Sequence, residues 1–196
     1  MPKISAATVA EHRAQQQAAL IRAAVDVLVE QGAAAVTPAS VGARAGLARS
    51  SVYQYFPSGA AILASVVESS FADANRAVDH ALQGLDAPVE RIVAYIETEL
   101  RLAEQGAHRP ASALMRADLP AECQDRVREL HHQHAAPLLA AIADSGAQDP
   151  LLTAQLVGGL LQAAVSAVDG GGDRMATTER VLSLIREGLI PGAARI

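Results

Sequence analysis

The sequence predicts an all-α fold: an N-terminal three-helix domain built around a helix-turn-helix, followed by a helical body, about nine helices in all. Three observations predict it. The 196 residues are 51% hydrophobic but only 3% aromatic, with no Trp, so the core is aliphatic and rich in the helix formers Ala and Leu. Apolar residues recur at three- and four-residue spacing, and no Asn-Gly or Asp-Gly pair joins two alternating segments as a hairpin would. Gly and Pro stand between the periodic segments, where helices stop and start.

The first helix is expected over 9–31, with Leu20, Ala24, Val27 and Leu28 at helical spacing and Gly32 as its stop. Thr37-Pro38 opens a second helix, because Thr caps well and Pro suits the first turn. It ends near Ala45, and Gly46 is free to turn left-handed. A third helix covers 49–56 and stops at Pro57. The fourth spans 59–82 with Leu63, Val67, Ala74, Val78 and Leu82 along one side, and the fifth spans 88–105 on the stripe Val89, Ile92, Val93, Ile96 and Leu100. A short sixth helix falls between Pro110 and Asp118. The seventh covers 122–144, where Pro137 should bend or divide it. The eighth and ninth cover 150–168 and 173–189. Between them, Asp169 to Asp173 holds three glycines but lacks the Lys-Ser/Thr of a phosphate-binding loop, and reads as a flexible connection. The expected domains are 1–58 and 59–196.

Charge is unevenly placed. Residues 1–60 carry five Lys/Arg against three Asp/Glu, while the remainder carries eleven against eighteen. A mildly basic head on an acidic body suits contact with nucleic acid by the head alone. Cys123 is the single cysteine, so no disulfide forms within the chain, and a reducing compartment is expected. The N-terminus lacks the apolar run of a secretion signal, and no uninterrupted apolar stretch is read as approaching the roughly 20 residues of a membrane span. The expectation is a soluble, cytoplasmic protein with no membrane partner.

The segment from Thr37 to Ser58 carries the chemistry. Val41, Ala45, Leu47, Val52 and Phe56 can close a small apolar core. That leaves Arg49, Ser50, Ser51, Gln54 and Tyr55 on the outward side of the third helix. A guanidinium, short hydroxyls and an amide suit base edges in the major groove, and a tyrosine hydroxyl suits a phosphate oxygen. Arg44 and Arg13 are phosphate candidates on charge grounds, and equally plausible as solvated surface arginines.

Ala45-Gly46-Leu47, Arg49 and the run Val52-Tyr53-Gln54-Tyr55-Phe56-Pro57-Ser58 resemble the signature of the tetracycline-repressor (TetR) family of transcriptional regulators. The strong resemblance covers about residues 10 to 65. It implies contacts at or near base edges from Arg49, Ser50, Ser51 and Gln54. It implies backbone contacts to double-stranded DNA from Tyr53, Tyr55 and Thr37, although Tyr53 could also be packed. Three positions depart from the family pattern: Gly59 where a lysine is usual, Ala48 where Ser or Thr caps the third helix, and Ala39 where some members place an arginine.

The resemblance further implies a homodimer reading a palindromic operator and a small-molecule inducer held in the C-terminal domain. Candidate ligand-lining residues are Phe71, Tyr95, Met115, Leu119, Leu130, His134 and Leu138. His134 falls on the apolar side of its helix, which fits a satisfied core histidine as well as a ligand contact. The dimer is expected through helices eight and nine, on Leu156, Gly159, Leu160, Ala163 and Ala167 with Val181, Leu184 and Ile185. His131, His132 and His134 with Cys123 and Asp118 do not converge as three or four zinc ligands would, so no metal is expected. No cofactor is expected, and no nucleophile elbow, zinc-protease motif or dinucleotide fingerprint supports an enzyme. The rival reading is a dimeric small-molecule sensor with weak or no specific DNA binding.

Overall fold

The computed structural model describes residues 6–115 and 121–188, which form nine α-helices and no strand. The helices are α1 Ala6–Gln31, α2 Pro38–Ala45, α3 Arg49–Val52, α4 Gly59–Leu82, α5 Pro88–Glu104, α6 Arg109–Met115, α7 Ala121–Asp144, α8 Pro150–Asp169 and α9 Arg174–Gly188. A single 3-10 turn, Ala33–Ala35, follows α1 and has no counterpart among the expected elements. Asp118, Leu119 and the expected end of the sixth helix lie outside the described residues, as does the end of the ninth.

The chain divides into two compact units. Among the described residues, one holds those up to Ser70 and from Pro110 to Gln124, and the other holds Phe71–Arg109 and those from Asp125 on. The first half of α4 therefore goes with the N-terminal helices, where the sequence suggested a boundary at 58/59.

In the first unit α1 packs on α2, and α2 on α3. Leu20, Ala24, Val27, Leu28, Val41, Val52, Phe56, Ile62 and Val66 are buried there. Ala45 and Leu47 are only half-buried. The buried side of α4 as a whole is Ile62, Val66, Val67, Phe71 and Val78, with Leu63, Ala74 and Leu82 at its margins.

In the second unit α5, α8 and α9 pack on one another. Ile92, Tyr95, Ile96 and Leu100 of α5 meet Leu138, Ala141 and Ile142 of α7, Val157, Leu161, Ala164, Val165 and Val168 of α8, and Val181, Leu182 and Ile185 of α9. Pro137 sits inside α7 without dividing it. The glycine-bearing loop is a tight turn: Gly171 N–H donates to Val168 O and Gly172 N–H to Ala167 O, both at 2.9 Å, closing the end of α8.

The apolar run of α8 is interrupted by Thr153, Gln155, Gln162 and Ser166. Pro150–Val168 holds no charged residue, and by length and composition α8 could cross a bilayer. Its buried stripe belongs to the core just described, so part of its apolar character has a packing role.

Candidate DNA-binding surface and ligand site

Backbone chemistry builds the helix-turn-helix. Thr37 caps α2: its hydroxyl accepts from Ser40 N–H at 3.1 Å while Thr37 N–H donates to Ser40 Oγ at 3.0 Å. At the other end Gly46 adopts φ 71°, and Leu47 N–H reaches back to Gly42 O at 2.8 Å. That left-handed step costs glycine nothing and reverses the chain within three residues. α3 then begins at Ala48, which supplies no side-chain cap. It is regular only to Val52. Tyr53 to Tyr55 continue as a tightened turn, with Gln54 N–H on Ser51 O at 3.2 Å and Tyr55 N–H on Val52 O at 3.0 Å. Phe56 N–H then bonds Val52 O at 3.0 Å, and Pro57 ends the segment, because the residue before a proline avoids helical geometry.

Val52 and Phe56 face inward, which leaves Arg49, Ser50, Tyr53 and Gln54 exposed and Ser51 and Tyr55 half-buried. Arg49 Nη2 donates to Tyr53 Oη at 2.9 Å and its guanidinium lies 5.4 Å from the Tyr53 ring centroid. On the other flank Arg13 of α1 donates from Nη2 to Gln54 O at 3.1 Å and lies 5.3 Å from the Tyr55 ring centroid. Arg44 is already paired within the chain, with Glu30 Oε1 at 3.0 Å and Asp26 Oδ2 at 3.7 Å. The hydrogen bond from Arg44 holds the Glu30 carboxyl below its usual range. Of the two arginines read as phosphate candidates or solvated surface residues, Arg44 pairs with acids of α1, and Arg13 donates to the Gln54 carbonyl beside Tyr55.

The second unit encloses a polar cluster. Glu99 and His134 are 5% and 6% exposed. His134 Nδ1 lies 2.6 Å from Asn75 Oδ1 and Nε2 lies 3.0 Å from Glu99 Oε1. His108 Nε2 is 3.2 Å from the Glu99 carbonyl and 3.5 Å from Glu99 Oε2. Tyr95 donates its hydroxyl to His134 O at 3.2 Å. Phe71 and Tyr95 set their ring centroids 5.9 Å from that of His134. Burial first, then the charge of Glu99, pushes the Tyr95 phenol far above its ordinary value.

Residues 20–66 match the family model described as bacterial regulatory proteins, tetR family. Over those residues the chain is similar to the tetR family. No curated protein matches it by sequence. Solved structures share its fold at low identity. The fatty acid degradation regulator FadR from Bacillus halodurans is 19% identical, with a TM-score of 0.78 over 89% of this chain and 96% of its own. FadR from Bacillus subtilis, solved in complex with stearoyl-CoA, is 22% identical, with a TM-score of 0.75 over 89% of this chain and 98% of its own. The TetR-family regulator PfmR from Thermus thermophilus is 19% identical, with a TM-score of 0.71 over 88% and 96%.

Within this fold the expected residues sort themselves. Phe71, Tyr95 and His134 come together as rings, and Leu130 and Leu138 are buried. Leu119 and the side chain of Met115 lie outside the described residues. Sequence reasoning missed Glu99, Asn75 and His108. Glu99 had a signal: it falls four residues after Tyr95 and three after Ile96, at a buried register of α5. Of the expected dimer residues, Leu156, Gly159, Ala163 and Ala167 are exposed along α8, Leu160 is half-buried and Leu184 is exposed on α9. Val181 and Ile185 instead lie in the chain's own core, because the inner face of α9 fills the space against α5 and α8. Among the described residues no three His, Cys, Asp or Glu side chains are placed to hold a metal ion.

Proposed function

We propose that this chain is a ligand-responsive repressor: a homodimer that binds a palindromic operator and leaves it when a small molecule enters the second unit. The observation that carries the reading is the exposed face of Arg49, Ser50, Tyr53 and Gln54, backed by buried Val52 and Phe56. A guanidinium held by a neighbouring phenol is pre-oriented for a base edge or a phosphate. Thr37 stands at the start of α2, where the positive end of the helix dipole favours a backbone phosphate. A four-residue recognition helix reads few bases, so two copies about one helical turn of DNA apart supply the specificity. Exposed Leu152, Leu156, Gly159 and Ala163 on α8 form an apolar strip narrow enough for a second copy's helix. The Bacillus subtilis neighbour, solved in complex with stearoyl-CoA, supports a small-molecule ligand for a chain of this fold.

The test is selection from a randomised DNA pool followed by titration of the enriched sequence. The expected outcome is a palindromic site whose affinity falls steeply with salt. Arg49→Ala should weaken binding to it by about 1–3 kcal/mol while leaving the thermal melt in place. Failure to enrich any sequence would favour the sensor without specific DNA binding.

A further inference from the structure

Pro57 interrupts the backbone bonding of the recognition segment. After Val52 the chain continues as a tightened turn, with Gln54 N–H on Ser51 O at 3.2 Å, and Tyr55 N–H and Phe56 N–H both on Val52 O at 3.0 Å. The next N–H in that series would belong to residue 57 and fall to Tyr53 O or Gln54 O. Proline has none to give. A guanidinium from α1 takes the Gln54 carbonyl instead: Arg13 Nη2 donates to Gln54 O at 3.1 Å. The same guanidinium lies 5.3 Å from the Tyr55 ring centroid. One planar group thus holds the carbonyl of one residue and the ring of the next, which a point-like ammonium does less well. α1 is itself anchored by buried Leu20, Ala24, Val27 and Leu28 and packs on α2. Arg13 therefore ties the exposed turn to the buried core of its own unit.

We propose that Arg13 is a positioning residue for sequence reading: by holding Gln54 O and the Tyr55 ring, it sets where the Gln54 amide and the Tyr55 hydroxyl meet DNA. This rests on reading α3 and the turn after it as the DNA-binding surface, and it gives a residue outside the helix-turn-helix a share in specificity. Gln54 is exposed, so little packing fixes its side chain, and the backbone beneath it decides where the amide lies. A phosphate contact from Arg13 would instead act on every sequence alike.

The experiment compares the full-length protein with its Arg13→Ala variant on the enriched operator and on a scrambled duplex of equal length, across a salt series. The ratio of operator to scrambled affinity should fall about tenfold or more in the variant, with scrambled affinity within about twofold and the slope of log affinity against log salt unchanged. A phosphate contact would lower both affinities alike and take about 0.9 from the slope. Loss of folded protein would also lower both by one factor and leave their ratio in place. Without DNA, amide exchange at Tyr55 and Phe56 should quicken about tenfold in the variant, while that of Val41 stays within about twofold. Should Arg13→Ala fail to fold, Arg13→Lys keeps the charge without the planar fork, and should still lower the ratio about threefold or more. A ratio that survives, a slope that drops with both affinities, or unchanged exchange at Tyr55 and Phe56 overturns the proposal. If the native protein enriches no sequence, the regulator reading fails and takes the assignment with it. If the native protein prefers its operator and the variant keeps that preference, the assignment of Arg13 alone fails.

Discussion

A phenol as deeply buried as that of Tyr95 is stable in one protonation state only. It is 3% exposed, donates to His134 O at 3.2 Å, and its pKa is raised by burial and then by the Glu99 charge. In the unfolded chain tyrosine ionises near its ordinary value of about 10. In the folded chain Tyr95 keeps its proton well beyond that. The folded-state value is raised, so the stabilisation is fully present below pH 10 and is lost as pH climbs above it. The loss has a limiting slope of about 1.4 kcal/mol per pH unit for one proton. Urea melts between pH 8 and 11.5 check this. Tyr95→Phe should cost about 1 kcal/mol near neutrality through the lost hydrogen bond, and should fall less steeply than the native protein above pH 10. Equal slopes in the two proteins would mean that Tyr95 ionises in the folded state. The same kind of accounting explains Arg44. A guanidinium already paired with Glu30 and Asp26 must give up those acids to reach a phosphate, whereas Arg49 need only turn from one phenol hydroxyl.

At the scale of elements, the entry to α4 shows how a residue type can answer to geometry. Gly59 stands where the family commonly has a lysine, which at first sight costs a phosphate contact. A Cβ at that position would lie 2.5 Å from Val36 O and 3.6 Å from Val36 C. Backbone approaches backbone there, and neither side can rotate away. Gly59→Ala should therefore destabilise the N-terminal unit by about 1–3 kcal/mol, an overpacking cost, measured by thermal and denaturant unfolding. A neutral substitution would show that the Ala33–Ala35 turn and the backbone at Val36 yield freely. Helix order and most helix ends could be read directly, because Gly32, Thr37-Pro38, Gly46, Pro88 and Pro150 stand at the ends they mark. What could not be read was any feature set by a partner remote in sequence. The buried side of α4 is rotated toward Ile62 and Phe71 because packing, and not the helix's own pattern, chooses among adjacent apolar positions. Glu99, Asn75 and His134 meet across 59 and 35 residues of chain, a distance no local spacing encodes. α3 ends at Val52, and Pro57, which restricts only Phe56, does not account for the shortening.

For the whole molecule, the question is what covers α8. A helix of 20 residues with an uncharged middle buries Val157, Leu161, Ala164, Val165 and Val168 inside its own unit, yet leaves Leu151, Leu152 and Leu156 at 66%, 50% and 51% exposed. Added Cβ atoms at Gly158 and Gly159 would meet nothing within 4 Å. Leu152, Leu156, Gly159, Ala163 and Ala167 step along one side at three- and four-residue intervals, large at one end and small at the other. A strip of that kind is self-complementary when two antiparallel copies lay large against small, which is what a twofold axis produces. Leu184 and Met175 of α9 extend the exposed apolar surface at 38% and 66%. A charge placed in the middle of the strip meets its own copy across the axis, and like charges brought together in an interface cost several kcal/mol. Ala163 is exposed, so Ala163→Glu should leave the fold and melting of the monomer unit intact. Sedimentation should show the native protein as a dimer and the variant as a monomer, with a dissociation constant raised at least 100-fold. Operator affinity should fall with it, since one recognition segment reads only half a palindrome. A variant that sediments as the native dimer would move the interface away from α8, and with it the geometry that sets the spacing of the two recognition segments.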